Sequence, residues 1–222
     1  MPRSRRYREA LTMREEDKKY SLREAIKIIK SMPQAKFDQT VEVNSKLGAD
    51  PKQSDQMLRG SVVLPHGTGK DVKVLVFCEP EKEKDARESG ADHIGTNETV
   101  DKILKDGWTD FDCCISTPSM MRVVSKLGRF LGPRGLMPSP KTGTVTENIS
   151  YAVKEAKRGK IDFRMDKLGC VHVGVGKVSF TEEAIRENVK AFIDALSAAK
   201  PQSIKGDFIN PDAGITDPTK MP

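Results

Sequence analysis

The spacing of hydrophobic and polar residues in the first third of the chain predicts a helix followed by two strands. Ser21 and Glu24 form a capping box, and apolar residues recur at helical spacing after it, so a helix begins at Ser21. Residues 39–47 alternate apolar and polar side chains, which is typical of a strand with one exposed face. A second strand of this kind is predicted at 58–64.

The middle of the chain has a different pattern. Residues 72–77 are almost continuously apolar, as expected of a strand covered on both faces, and short strands are also predicted at 91–95 and 111–116. Helices are predicted around them at 81–89, 97–106, 120–127 and 147–158. Strands that alternate with helices over short connections indicate a small parallel sheet flanked by helices. The helix at 97–106 is expected to pack through Val100, Ile103 and Leu104.

Half-exposed strands return at 161–164 and 170–173, and a long helix is predicted over 181–198. The apolar stripe of that helix consists of Ile185, Val189, Phe192, Ile193 and Leu196. Because two segments of one pattern bracket a segment of another, the economical fold is an α+β domain interrupted by an inserted domain.

The predicted fold class is therefore α/β, in the form of a split domain with an inserted Rossmann-like α/β domain. Domain I is expected at 1–67 plus 160–222, and domain II at 68–159. Two crossings between the domains form a hinge, for which the candidate residues are Gly67, Gly69 and Gly159.

Composition and charge suggest a polyanionic partner without proving one. The 222 residues include 38 Lys and Arg against 32 Asp and Glu, and the pI is about 9.1. This excess suits a nucleic acid, but a membrane surface or simple solubility would explain it as well. No apolar run reaches the length of a membrane span, and no apolar stretch follows the basic start. We therefore expect a cytoplasmic protein with no membrane partner.

The motifs that an enzyme would use to bind a nucleotide are incomplete in this sequence. The string Gly67-Thr68-Gly69-Lys70 resembles a phosphate-binding loop, but Leu64 and Asp71 occupy positions that such a loop reserves for Gly and Ser or Thr. Carboxylates follow the first strand of the inserted domain, where a dinucleotide would need a glycine-rich turn. A nucleotide-cofactor enzyme on this domain is the alternative, and we expect no cofactor and no catalytic residues.

The four cysteines have no metal-ligand spacing. They are Cys78, Cys113, Cys114 and Cys170, and we expect them to be buried, reduced thiols.

The basic segment 120–141, which contains no acidic residue, is a candidate RNA contact. Its cations include Arg129, Arg134 and Lys141, and its Gly and Pro residues allow the backbone to approach a phosphate chain. A solvated basic loop is the alternative interpretation.

A second candidate is the polar loop around Phe37. An aromatic ring there would support a ribose or base, with Lys36 and Thr40 beside it, unless the ring instead turns inward and fills the core. Arg164, Asp166 and Lys167 precede Gly169 and would form a matching polar turn if the flanking strands pair as a hairpin.

Four strings carry a specific resemblance to a known family. They are Ala35-Lys36-Phe37-Asp38, Leu64-Pro65-His66-Gly67, Gly90-Ala91-Asp92 and Leu131-Gly132-Pro133-Arg134-Gly135-Leu136-Met137-Pro138. In these strings the chain resembles the bacterial-type large-subunit ribosomal protein L1 family, and the similarity covers about residues 5–209.

The resemblance implies a split first domain that binds structured large-subunit rRNA, with a Rossmann-like domain inserted. It also implies a monomer when free, a place in the mobile stalk of the large ribosomal subunit, a role in moving and releasing exit-site tRNA, and repression through the protein's own mRNA. A free translational repressor without stable ribosome residence is the alternative. The family contacts fall on Lys36, Phe37, Thr40, Glu42, Asp166 and Lys167. The tail 210–222 departs from the family pattern by two aspartates, so no contacts are assigned there.

Overall fold

The computed structural model describes residues 4–13, 15, 18–53, 55–201, 203–204, 208–209 and 215–216. The strands are β1 Thr40–Lys46, β2 Arg59–Val63, β3 Val74–Phe77, β4 His93–Ile94, β5 Cys113–Ser116, β6 Lys160–Arg164, β7 Cys170–Lys177 and β8 Ile215–Thr216. The α-helices are α1 Arg5–Thr12, α2 Leu22–Ser31, α3 Glu83–Glu88, α4 Asn97–Asp106, α5 Met121–Val124, α6 Gly128–Leu131, α7 Ile149–Lys157 and α8 Glu182–Ala198. Single 3-10 turns occur at Pro80–Lys82, Ser125–Leu127 and Pro140–Thr142.

Contacts within the chain divide it into two compact units. Unit 1 draws on 1–58, 64–69 and 163–222, and unit 2 on 59–63 and 70–162. The strand β2 therefore groups with unit 2, although the pattern analysis assigned it to the first domain. The α/β class is confirmed, while the two hinged domains and their boundaries stay a prediction.

Unit 1 is built on an antiparallel sheet in the order β7-β1-β8. Val41 and Val43 of β1 and Val173 of β7 point to its buried face, as their alternation with polar residues predicted. The helix α8 packs on β7 and on α2. Phe192 of α8 meets Phe163 edge to face, with 5.8 Å between ring centroids. The predicted stripe of α8 is wrong at Ile193, whose side chain is exposed.

A β-bulge in β7 is held by a fully buried asparagine of α8. The register shifts between Val41 and Glu42, so that Val175 has no direct partner on β1. The Asn188 amide nitrogen donates to the Val175 carbonyl at 2.7 Å and to the Gly67 carbonyl at 3.0 Å. Its amide oxygen accepts from the His66 backbone N–H at 3.0 Å. One side chain thus satisfies backbone groups of the bulge and of the loop 64–69.

Unit 2 contains the predicted small parallel sheet, in the order β4-β3-β5. Every residue of β3 is buried, because helices cover both faces of the sheet. α3 and α7 contribute to the core on one face, and α4, α5 and α6 to the core on the other. Val100 and Ile103 of α4 are buried as predicted, whereas Leu104 is exposed. In the same unit, β2 pairs with β6, whose residues 160–162 also belong to unit 2.

The thiols are only partly as expected. Cys78 and Cys114 are buried, but Cys113 and Cys170 are partly exposed, and all four are free. Burial raises the pKa of the Cys113 thiol to about 11, so it is protonated at neutral pH. Across the described part of the chain, no three or more His, Cys, Asp or Glu side chains are grouped to hold a metal ion. A search of the same residues for a helix that could cross a bilayer found none.

Candidate nucleic-acid interface

Phe37 projects into solvent from the loop that leads into β1. Its side chain is 70% exposed, so the ring does not fill the core. Most single exposed apolar residues need no explanation, but this one stands on a loop held in place by hydrogen bonds. The adjacent Asp38 carboxylate accepts from the Ser179 backbone N–H at 3.2 Å and from the Ser179 hydroxyl at 2.7 Å.

Gln39 completes the support of this loop. Its backbone carbonyl accepts from the Val178 N–H at 2.9 Å, and its buried side-chain oxygen accepts from the Ala35 N–H at 3.2 Å. With both flanks of the loop tied down, little backbone conformational entropy is left for the loop to lose on binding. The loop therefore presents a preorganised aromatic surface of the kind on which bases and riboses stack.

The outward faces of β1 and β7 continue from Phe37 as a polar strip. Thr40 lies opposite Lys177, Glu42 opposite Gly174, and Asn44 opposite His172. The Lys177 ammonium donates to the Thr40 hydroxyl at 2.9 Å. β1 has seven residues, so the strip is about 20 Å long at roughly 3.3 Å per residue.

Because Gly174 has no side chain, the middle of this strip forms a shallow depression in the outward face. A Cβ atom at that position would lie 3.2 Å from the Thr40 methyl carbon, which is closer than ordinary contact allows. Glu42 lies directly opposite Gly174 and is half-buried. Its carboxylate can accept from a ribose 2′-hydroxyl or a base amino group but would repel a phosphate. The strip is therefore suited to ribose and base edges in its middle.

The turn at 166–169 lies at the other end of the strip. The condition that its flanking strands pair as a hairpin is not met, because β6 pairs with β2 while β7 pairs with β1. The turn is instead closed through Asp166, whose carboxylate accepts from the Leu168 N–H at 2.8 Å and the Cys170 N–H at 2.7 Å. Lys167 and Leu168 project outward, the latter 78% exposed.

The pKa of the Asp166 carboxyl is lowered despite partial burial. Burial acts to raise it, but hydrogen bonds from the Cys170 and Leu168 backbone N–H groups and from His172 act in the opposite direction and together outweigh burial. Asp166 is consequently ionised at neutral pH and acts as the fixed acceptor of the turn.

Several cations near this strip are available to a polyanion. Lys36, Arg164 and Lys167 are exposed, and none of them forms an ion pair with another residue of the described chain. Unpaired cations contribute most to phosphate binding, since no internal ion pair has to be broken.

Unit 2 carries the basic segment 120–141 on a well-packed base. Leu127 and Leu131 are fully buried in one of the two cores of this unit. Arg129, Arg134 and Lys141 are exposed, and they too have no ion-pair partner among the described residues. The segment can therefore present charge to a phosphate chain, and its role in RNA binding stays a prediction.

The three candidate hinge glycines all have positive φ, between +66° and +98°. Gly67 is fastened within unit 1 by its hydrogen bond from Asn188. A Cβ atom at Gly69 would lie 2.8 Å from side-chain atoms of both Lys177 and Phe180. Both glycines are thus required locally by unit 1, and a hinge role for either of them or for Gly159 stays a prediction.

Sequence reasoning missed Asn44, His172 and Lys177 as members of the strip. The alternation placed Asn44 and His172 on outward faces, so a signal existed. The register that brings these positions together across 128 residues of sequence was not readable from either strand alone.

Comparisons with known proteins agree on one family. The sequence model described as the ribosomal protein L1p/L10e family matches residues 28–211. A protein of Protochlamydia amoebophila called large ribosomal subunit protein uL1 is 53% identical over 93% of this chain and 87% of its own length. Proteins of the same name from Persephonella marina and Flavobacterium johnsoniae are 50% and 52% identical, each over 93% of this chain, and are covered over 87% and 90% of their lengths.

Proposed function

Because the chain belongs to the ribosomal protein L1p/L10e family, we propose that it is a constituent of the large ribosomal subunit and binds that subunit's rRNA. This is a family of ribosomal proteins and not of enzymes. We also propose that the protein resides on cytoplasmic ribosomes.

The observation that carries the proposal is the exposed, preorganised Phe37 at one end of the polar strip of unit 1. An aromatic ring held in solvent supports stacking on a base or ribose. Lys36 beside it, which has no ion-pair partner among the described residues, supports a phosphate contact. The proposed interface consists of Lys36, Phe37, Thr40, Glu42, Arg164, Asp166 and Lys167. Its selectivity would come from the shape of folded RNA, and much of its affinity from phosphate contacts.

The first test is Phe37→Ala, with affinity for the stalk segment of large-subunit rRNA measured by fluorescence anisotropy at one stated salt concentration. We expect a loss of about 1–3 kcal/mol, the range for one base–aromatic contact. The control is Tyr151→Ala, which removes an aromatic ring of similar exposure from α7 of unit 2. Unchanged affinity in a folded Phe37→Ala variant, or an equal loss in the control, would contradict the assignment of this interface.

The finer roles concern tRNA and mRNA. We propose that the ribosome-bound protein assists movement and release of exit-site tRNA, and that the free protein represses translation of its own mRNA. Sucrose-gradient sedimentation separates ribosomal residence from a purely free repressor, because a stable constituent travels with large subunits. A reporter carrying the protein's own mRNA leader tests repression, and Phe37→Ala should relieve it if both RNAs use the same strip.

The basic segment of unit 2 is proposed as an additional phosphate contact through Arg129, Arg134 and Lys141. Footprinting of the whole chain on large-subunit rRNA and on tRNA distinguishes its partner, with the triple substitution of these residues to Gln as the comparison. Protection that is the same for both proteins on both RNAs would remove the segment from the interface.

A further inference from the structure

His172 occupies a bridging position on the outward face of β7, as the third residue of that strand. Its Nδ1 atom lies 2.6 Å from the side-chain oxygen of Asn44 on β1. Its Nε2 atom lies 3.5 Å from the Asp166 carboxylate in the turn that precedes β7. The imidazole thus connects the neighbouring strand to the turn that presents Lys167.

Both ring nitrogens face oxygen atoms of other residues. Asp166 is ionised, because its pKa is lowered, and one of its oxygens already accepts from two backbone N–H groups. The Nε2 atom of His172 faces the other oxygen, so the imidazole completes the polar contacts around this carboxylate.

We propose that His172 is a positioning residue for rRNA binding, which holds the turn 166–169 against β1 so that Lys167 and Leu168 face the RNA. The inference rests on the proposed function and adds a residue that acts through Asp166 rather than by touching RNA itself. The Asp166 carboxylate closes the turn through its hydrogen bonds from backbone N–H groups, and His172 links this carboxylate to Asn44 on the sheet.

The experiment is a double-mutant cycle on the full chain with the stalk segment of large-subunit rRNA as probe. We expect His172→Gln to weaken binding about tenfold, as for loss of a hydrogen bond to a charged group. In an Asp166→Asn background, the same substitution should change the affinity less than about twofold, because the carboxylate through which His172 acts is already absent. The matched control is His66→Gln, which removes the other unit 1 imidazole, paired with Glu187 of α8.

Hydrogen exchange supplies a local readout that separates positioning from loss of folding. Exchange of the Leu168 and Cys170 amides, which donate to Asp166, should accelerate in His172→Gln but not in His66→Gln, while the rest of unit 1 keeps its protection. Unchanged exchange of these two amides overturns the inference, as do additive effects in the cycle, which would mean that His172 acts independently of Asp166. If Phe37→Ala weakens binding but His172→Gln does not, the inference fails and the proposed function stands. If the wild type does not bind the rRNA, the proposed function itself fails.

Discussion

Replacing Asn188 by Ala should destabilise unit 1 by about 2–4 kcal/mol. The wild-type side chain is fully buried and makes three hydrogen bonds to backbone groups of His66, Gly67 and Val175. At roughly 1 kcal/mol net for each bond, their loss amounts to about 3 kcal/mol. His66 and Gly67 lie in a surface loop where water can replace the lost partner, which lowers the loss. Val175 belongs to a buried bulge, so its orphaned carbonyl has the full desolvation penalty of about 1–3 kcal/mol.

The assay is thermal unfolding followed by far-UV circular dichroism, combined with hydrogen exchange resolved by peptide. At about 2–4 °C per kcal/mol for a chain of this size, the variant should lose roughly 5–15 °C. Exchange should accelerate in the peptides that contain 64–69 and 170–177. Trp108, the single Trp of the sequence, lies in unit 2 and is an internal reporter that the substitution should leave unchanged.

Two further variants sharpen the test. Asn188→Asp keeps an acceptor for the His66 N–H but places an oxygen against the two carbonyls, so it should be at least as destabilising as Asn188→Ala. Lys190→Ala changes an exposed residue of the same helix and should stay within about 0.5 kcal/mol of the wild type. A loss below about 0.5 kcal/mol for Asn188→Ala would refute the view that this side chain fastens the loop to the bulge.

Three other predictions follow from the same structure. Gly69→Ala should destabilise unit 1 by at least about 1 kcal/mol in urea unfolding, because φ is +70° and the new Cβ would lie 2.8 Å from Phe180. The control is Gly107→Ala, in which the new Cβ meets no neighbouring atom and only the backbone strain remains. The pKa of Asp166 is lowered in the folded protein, so its carboxylate should protect the Leu168 and Cys170 amides against hydrogen exchange fully above about pH 4. This protection should be lost as the pH falls further, and Asp166→Asn should show no such transition. Substitution of Arg129, Arg134 and Lys141 by Gln should reduce the salt dependence of rRNA binding by about 0.7–0.9 in log–log slope for each cation that contacts phosphate, and an unchanged slope would exclude the segment from the interface.

The sequence by itself determined the elements and the class of the fold, because the signals for both are local. A capping box and an alternation of apolar residues involve neighbours in the chain, so the helix after Ser21 and the strand β1 were predictable without any partner. The continuous apolar run of β3 predicted a sheet covered on both faces, because this signal is also local. The basic segment and the strings that resemble the L1 family were readable as well, since they depend on residue identity alone.

Only the tertiary structure decided how these elements meet. Helical periodicity marks an apolar stripe but not its width, so it included Leu104 and Ile193, which the neighbouring elements leave uncovered. The partner of a strand is a non-local choice, which is why β6 pairs with β2 and not with β7. The outward direction of Phe37 depends on Asp38 reaching Ser179, and the His172 bridge depends on strand register. These contacts join residues more than 100 positions apart, and no local pattern encodes them.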